Sequence, residues 1–218
     1  GGTFIKCALC DENGGIVARD SRPTRSDAGL NAVVEAMCEG AQTVIRESGV
    51  DRASVIAAGC GAPGPTEWKQ GIVYSPPNLP GWRDVPLAKL LSERLDLPVF
   101  VENDANSACY GEFYAGAGMD VDTMVQITLG TGVGGGLVID GRLVRGIDGT
   151  AGEIGHMQVM RDGREHPFGF TGNLEAYASV RGLVRTARKA IESGRRSSLV
   201  DVCEGNLDNL TGKMIPDA

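Results

Sequence analysis

Hydrophobic residues near the start of the chain follow first a strand pattern and then a helix pattern. The apolar residues 7–10, an Asn-Gly-Gly turn and the short apolar run 16–18 predict a β-hairpin. From residue 29 to residue 48 apolar side chains recur at helical spacing, and Gly49 supplies a stop signal. This pattern predicts an amphipathic helix that covers a sheet, followed by a buried strand at 55–60.

The next stretch alternates loops rich in glycine and proline with short apolar runs. Residues 61–66 contain too much Gly and Pro for regular structure, so we expect a loop at the carboxyl end of the preceding strand. Residues 72–74 predict a short strand, and residues 86–95 predict a helix with Asp84 as its cap. The apolar run 98–101 predicts a buried strand that leads directly into a helix of small residues.

The order of these elements favours an α/β fold. Strands and helices alternate through residue 115, which is typical of a lobe with at least partly parallel strand pairing. Later segments predict further elements, which are strands at 123–129 and 137–139 and helices around 180–193 and after 211. We therefore expect two lobes, with residues 1–115 in the first and residues 116–218 in the second.

Composition and charge argue against several classes of protein. The 218 residues carry 21 basic and 28 acidic side chains, a net charge of −7, without a dense basic patch, so we expect no nucleic-acid partner. No segment reaches the roughly 18 apolar residues of a membrane span, and no signal-peptide pattern is present, so we expect a cytoplasmic protein without a membrane partner. The six cysteines are scattered, mostly within apolar segments, which favours reduced thiols over a disulfide framework.

The segment from Glu102 to Asn106 is the strongest candidate for chemistry. It places Asp104 at a strand-to-helix turn, and ligands of open α/β sheets bind at the carboxyl ends of the strands. One interpretation is that Asp104 is a catalytic carboxylate. The alternative is that Asn103 or Asp104 simply caps the helix, as Asn and Asp commonly do.

Two glycine-rich segments are candidates for contact with phosphate. Residues 130–136 include five glycines between two strands, which favours close approach of a ligand, although a bulged hairpin is the alternative. The opening Gly-Gly-Thr can present backbone N–H groups in the same way, or form only a turn. Asn78 lies in a rigid proline-rich turn, where its amide can also satisfy its own backbone.

Seven motifs in order carry a family resemblance. They are Gly1-Gly2-Thr3 and the segments 61–64, 78–82, 102–106, 129–136, 152–156 and 174–177. Over nearly its whole length the chain resembles the ROK family of sugar kinases, within the actin-like ATPase superfamily. The resemblance implies a two-lobed α/β fold of the actin-like ATPase (ribonuclease H-like) type, with mixed sheets flanked by helices, truncated at both ends in this sequence.

The resemblance also implies phosphorylation of a hexose hydroxyl by ATP and Mg²⁺, with Asp104 as the base. The residues implied to bind the sugar are Gly64, Asn78, Asn103, Glu153, His156 and Glu175. The residues implied to meet the phosphates of ATP are Gly2, Thr3, Lys6, Gly130, Thr131 and Gly132. A core histidine is the alternative interpretation of His156.

Many family members hold a structural zinc ion with one His and three Cys, and this chain departs from that pattern. Its three cysteine positions contain His166, Phe168 and Asn173. Phenylalanine cannot ligate a metal, and asparagine is a poor zinc ligand, so we predict that structural zinc is absent. We expect packing of Phe168 and Phe170 to hold this segment instead.

Kinase and repressor are the two function classes within the resemblance. Repressors of the family carry an N-terminal helix-turn-helix domain, which this sequence does not show before Gly1, so we expect a kinase. A non-catalytic sugar-binding fragment is a third alternative. Glucose is the expected hexose, with N-acetylated hexosamines and fructose as alternatives, and we expect a homodimer. We also expect bound sugar to draw the lobes together about a hinge at 115–119, unless that stretch is an ordinary helix end.

Overall fold

The computed structural model describes residues 3–76, 78–166 and 169–215. The chain divides into two units. One comprises Gly1–Val125 with Gly136–Ala151, and the other comprises Gln126–Gly135 with Gly152–Ala218. The expected lobe boundary at residue 115 stays a prediction.

Strands and helices alternate in the described residues, as the hydrophobic pattern indicates. The strands are β1 (Phe4–Cys10), β2 (Ile16–Pro23), β3 (Ala58–Ala62), β4 (Thr66–Glu67), β5 (Ile72–Val73), β6 (Val99–Asn103), β7 (Met124–Leu129), β8 (Val133–Ile139) and β9 (Arg142–Leu143). The helices are α1 (Leu30–Ser48), α2 (Leu87–Leu95), α3 (Asp104–Ala115), α4 (Glu175–Ala178), α5 (Val180–Glu192) and α6 (Leu199–Val202).

The pairing of the strands is mixed. β1 and β2 form the predicted antiparallel hairpin, and β7, β8 and β9 follow one another in a three-stranded sheet. β3 and β6 are parallel, with Ala58 opposite Val99 and Ala62 opposite Asn103. This register brings the carboxyl ends of β3 and β6 side by side.

The core of the first unit lies beneath α1 and α2. α1 packs on β1 and β2, while α2 packs on α1 and β6. Val34 and Leu87 are almost completely buried, at 0% and 1% exposure, and other apolar residues of these helices are buried or pack against the buried cluster. Full burial of one such side chain contributes about 1.5–3 kcal/mol, so this cluster holds the β3–β6 pair in place.

Three local predictions differ from the structure. The strand predicted at 55–60 begins only at Ala58, because residues 52–54 form a short 3₁₀ turn capped by Asp51, and Ile56 is 85% exposed. The loop expected at 61–66 is strand at both of its ends. Asp84 does not cap α2, since it adopts a left-handed backbone (φ 50°) and Pro86 occupies the cap position.

The stretch 115–119 is the end of a helix. Gly116 and Gly118 donate backbone N–H groups to the carbonyl oxygen of Glu112, and Ala117 donates to the Glu112 carboxylate at 3.0 Å. The helix-end interpretation therefore describes this stretch, and a movement about it stays a prediction. After residue 211 the described chain forms only a short 3₁₀ turn, Gly212–Met214. None of the described helices is long and apolar enough to cross a membrane.

Candidate active site

Asp104 begins α3 directly after the carboxyl end of β6, as predicted. Its side chain is exposed, and its Oδ1 accepts a hydrogen bond from the backbone N–H of Ala105 at 2.9 Å. The parallel partner strand β3 ends beside it, because Ala62 pairs with Asn103. A carboxylate at this point of a parallel pair occupies the usual place for ligand binding in α/β sheets.

Asn103 caps the helix that Asp104 begins. Its Oδ1 accepts from the N–H groups of Ala105 at 2.9 Å and Asn106 at 3.1 Å. The capping alternative therefore holds for Asn103, whose Nδ2 keeps its capacity to donate. A Cβ on Gly64 would lie 2.8 Å from that Nδ2, so glycine at this position permits the close approach of the loop to the amide.

Glu102 anchors the same junction, and the sequence alone did not assign it a role. Its Oε1 accepts from the Asn103 N–H at 2.9 Å and from Asn106 Nδ2 at 3.2 Å. Its Oε2 accepts from Arg145 Nε at 2.5 Å, and the Arg145 guanidinium lies 4.4 Å from the centre of the Trp68 ring. These contacts fix the backbone that presents Asp104.

Asn78 is an exposed turn residue directly before two buried side chains. Leu79 and Trp82, on its C-terminal side, are 5% and 4% exposed. The N–H of Leu79 donates to the carbonyl of Pro76, and the N–H of Trp82 donates to Leu79, each at 3.2 Å. The side chain of Asn78 thus projects from a well-packed turn.

Two thiols of the first unit, Cys7 and Cys60, are not candidate nucleophiles. Burial raises the pKa of Cys60, on β3, to about 12. The pKa of Cys7 is raised first by burial and then by the neighbouring Asp20 carboxylate. Both side chains therefore stay protonated near neutral pH, and a protonated thiol is a poor nucleophile.

Glu153 and His156 lie at the two ends of a short turn in the second unit. Glu153 Oε2 is 3.7 Å from His156 Nε2. The Phe170 ring lies 5.1 Å from the His156 ring, and His166 lies 6.0 Å away in a T-shaped arrangement. His156 is only partly buried, so it is not an ordinary core histidine.

Glu175, at the start of α4, is held at both carboxylate oxygens. Oε2 accepts from the N–H of Val133 at 2.8 Å, and Oε1 lies 2.7 Å from His166 Nε2. A Cβ on Gly132 would come within 2.5 Å of Oε2. The sequence reasoning missed His166 as a partner of Glu175, because it treated the residue only as a replaced zinc ligand.

Residues 130–132 form the loop between β7 and β8, whereas the remaining glycines of the run 130–136 lie in β8, which begins at Val133 and not at the predicted residue 137. Several of these glycines have packing reasons. As at Gly132, an added Cβ would clash at two further glycines. A Cβ on Gly135 would meet the side chain of Ile154, and a Cβ on Gly136 would meet Cys109. Gly130 has no such neighbour within 4 Å. The glycine run therefore does not by itself indicate a phosphate site, although Thr131 at its tip is exposed.

The N-terminal residues proposed for phosphate contact are only partly described. Gly2 lies outside the described residues. The carbonyl of Thr3 accepts from the N–H of Thr24 at 3.0 Å, and Lys6 is an exposed residue of β1.

The donor set does not suit the zinc site of the family. His156, His166 and Asn173 supply two imidazoles and one amide, and the part of the chain that is described contains no group of three His, Cys, Asp or Glu side chains able to hold a metal. Asn173 is 1% exposed, and neither polar atom of its amide has a described partner. Phe168 lies outside the described residues, and Phe170 packs on the two histidine rings while remaining 47% exposed.

Comparison with known proteins identifies the family. A sequence model of the ROK family matches residues 1–215. The chain belongs to the ROK family. A glucokinase of Halalkalibacterium halodurans is 40% identical to this ROK chain over 200 residues, which are 91% of the chain and 60% of the relative. A putative xylose repressor of Caldicellulosiruptor sp. is 31% identical over 194 residues, which are 89% of the chain and 48% of the relative.

The fold is shared with solved ROK structures. A ROK family glucokinase from Streptomyces griseus, crystallised in complex with glucose and AMPPNP, is 38% identical and matches with a TM-score of 0.82. The match covers 100% of this ROK chain and 68% of that chain. The resemblance and the two-lobed actin-like ATPase fold that it implies are therefore confirmed. The ROK chain itself spans 60% of the length of the curated glucokinase above.

Proposed function

We propose that the protein transfers the γ-phosphoryl group of ATP to a hydroxyl of a hexose, most simply the 6-hydroxyl of glucose. The observation that carries this proposal is the exposed carboxylate of Asp104 at the carboxyl end of the β3–β6 pair, on a helix that Asn103 caps. Relatives named glucokinase, and one solved in complex with glucose and AMPPNP, support the donor and the hexose class.

In this reaction Asp104 accepts the proton of the attacking hydroxyl as the new oxygen–phosphorus bond forms. The bond between the γ-phosphorus and the β,γ-bridging oxygen breaks, and ADP leaves. Phosphoryl transfer needs mainly alignment and charge stabilisation, and Mg²⁺ bound with ATP would neutralise charge on the phosphates. The contacts of Glu102 fix the orientation of the junction and hence of the Asp104 carboxylate.

The remaining site residues would hold the substrates. In this proposal the amide of Asn103, the turn amide of Asn78 and the backbone at Gly64 bind sugar hydroxyls. Glu153, His156 and Glu175 supply further acceptors and donors, which suits a ligand with several vicinal hydroxyls. The phosphates would meet backbone and side-chain donors at Gly2, Thr3, Lys6, Gly130, Thr131 and Gly132.

The test is Asp104→Asn in the full-length protein. The amide keeps the shape and removes the base, so turnover in a coupled ADP assay should fall by about 10²- to 10⁴-fold. Glucose binding measured by calorimetry should change little. Retention of most of the turnover would overturn the assignment of Asp104.

A sugar-responsive repressor is the second candidate, because a putative xylose repressor matches most of this chain. A repressor would bind sugar without consuming ATP. Sugar binding by the full-length protein, with no ADP formed at saturating glucose and ATP, would favour the repressor or a non-catalytic sugar sensor over the kinase.

A further inference from the structure

The imidazole of His166 contacts Glu175, one of the carboxylates that we assign to the hexose. His166 Nε2 lies 2.7 Å from Glu175 Oε1. The His166 side chain is 7% exposed and that of Glu175 is 20% exposed, so the contact lies largely out of solvent. An ionised carboxylate only accepts hydrogen bonds, so His166 must carry a proton on Nε2 and donate it.

The second oxygen of Glu175 is fixed against the glycine loop. Oε2 accepts from the N–H of Val133 at 2.8 Å, and the lack of a side chain at Gly132 leaves room for it. A carboxylate offers about four lone-pair positions, so two bound donors leave capacity for a sugar hydroxyl. The two protein contacts therefore determine the direction in which the free lone pairs of Glu175 point.

Two backbone hydrogen bonds hold the position of His166. Its N–H donates to the carbonyl of Phe170 at 2.8 Å, and its carbonyl accepts from the N–H of Gly169 at 2.9 Å. Arg164, two residues earlier, donates to the carbonyl of Gly182 at 3.2 Å and to Thr186 Oγ1 at 2.9 Å. These bonds fasten the segment to α5, directly after the helix that Glu175 begins.

We propose that His166 is a positioning residue that orients the carboxylate of Glu175 for hexose binding, an inference that rests on the proposed function. A carboxylate held in its binding orientation before the sugar arrives loses less conformational entropy on binding. His166 need not touch the sugar for this effect. Its removal therefore weakens sugar binding more than it slows the chemical step.

The variants His166→Leu and His166→Gln in the full-length protein test this role. Leucine removes the donor, and the dissociation constant for glucose measured by calorimetry should rise by about 10- to 100-fold, the range for a hydrogen bond to a charged group. The KM for glucose should rise in parallel, with a smaller change in kcat. Glutamine places an amide Nε2–H near the same point, so it should restore most of the affinity.

A double-mutant cycle shows whether His166 acts through Glu175. In a Glu175→Gln background the additional loss caused by His166→Leu should shrink to less than about threefold, because the two residues act on one contact. Equal losses in both backgrounds, or equal losses for the Leu and Gln variants, would overturn the proposal and leave a packing role.

The tautomer of His166 provides a further test, because a packing role alone would not determine which ring nitrogen carries the proton. Long-range ¹H–¹⁵N spectra of the wild-type protein should show the His166 imidazole, identified as the signal missing in His166→Leu, with its proton on Nε2. A signal with an unprotonated Nε2 would overturn the proposal. Failure of wild-type protein to bind any hexose would instead overturn the proposed function, whereas glucose binding unchanged by His166→Leu would remove only this inference.

Discussion

Arg145 donates from Nε to Oε2 of Glu102 at 2.5 Å, across 43 positions of the sequence. The two side chains are 31% and 17% exposed, so water screens the pair only partly. Glu102 in turn accepts from the backbone of Asn103. Arg145 thus helps to hold the start of the helix that presents Asp104, although it lies outside the segment 102–106.

We predict that Arg145→Leu lowers the free energy of unfolding by about 1–3 kcal/mol, because Glu102 loses a charge-assisted hydrogen bond and remains partly buried. Turnover should fall as well, since the junction beside Asp104 loosens. Urea denaturation and the coupled ADP assay measure the two effects.

Lys89→Met is the matched control for this charge loss. Lys89 pairs with Glu93 at 3.9 Å, and both side chains are more than 60% exposed. Its loss should change stability by less than about 0.5 kcal/mol. If the Arg145 variant is no less stable than this control, the anchoring role of Arg145 is wrong.

Two substitutions of Asn103 distinguish its role as a helix cap from its proposed role in sugar binding. Asn103→Asp keeps an oxygen acceptor for α3, so stability should stay close to wild type, whereas Asn103→Ala should cost about 1 kcal/mol. Both remove the Nδ2 donor, so both should weaken glucose binding by about tenfold, the effect of one hydrogen bond. Thermal unfolding and calorimetry measure the two properties, and full glucose affinity in Asn103→Asp would show that Asn103 is a cap only.

Gly132→Ala and Gly130→Ala form a matched pair in the glycine loop. A Cβ at position 132 would lie 2.5 Å from Glu175 Oε2, whereas a Cβ at position 130 would meet nothing within 4 Å. We expect the first variant to lose about 1–3 kcal/mol of stability, as in overpacked sites, and to bind glucose more weakly. The second should stay near wild type in both measurements, and equal effects of the two would contradict the close approach of Glu175.

The departure of this chain from the cysteine pattern predicts a protein without stoichiometric zinc. Asn173 is a poor zinc ligand beside thiolate or imidazole, and a phenylalanine at position 168 cannot ligate a metal. Elemental analysis of protein purified without added metal should give far less than one zinc per chain, and chelators should not change its thermal unfolding. A value close to one zinc per chain would show that other donors complete the site.

Local signals explain what the sequence predicted well. The start of α3 was predicted because an apolar run ends in Asn and Asp, which satisfy the first N–H groups of a helix. The hairpin between β1 and β2 was predicted from its glycine turn. The cap predicted at Asp84 is wrong for a related reason, because aspartate is favoured both at helix caps and in left-handed turns. Asp84 adopts the left-handed backbone, and Pro86 occupies the cap position of α2.

The features of the site that the sequence did not predict are contacts between positions far apart in the chain. Nothing near Glu102 indicates that Arg145 and Trp68 pack together beside it. The glycine pattern at position 132 indicates phosphate, and it gives no hint that Glu175, 43 positions later, lies against this glycine. A histidine close before a motif glutamate was the one available hint of the contact between His166 and Glu175.

The parallel register of β3 and β6 determines where changes in chain length can be tolerated. Ala62 lies opposite Asn103, and Gly64 follows just beyond the paired residues. One residue inserted within β3 would turn its inward side chains outward and carry Gly64 away from the Asn103 amide. Insertions in this part of the chain should therefore accumulate in exposed turn residues such as 68–70, and a homologue with a longer β3 should carry a compensating bulge.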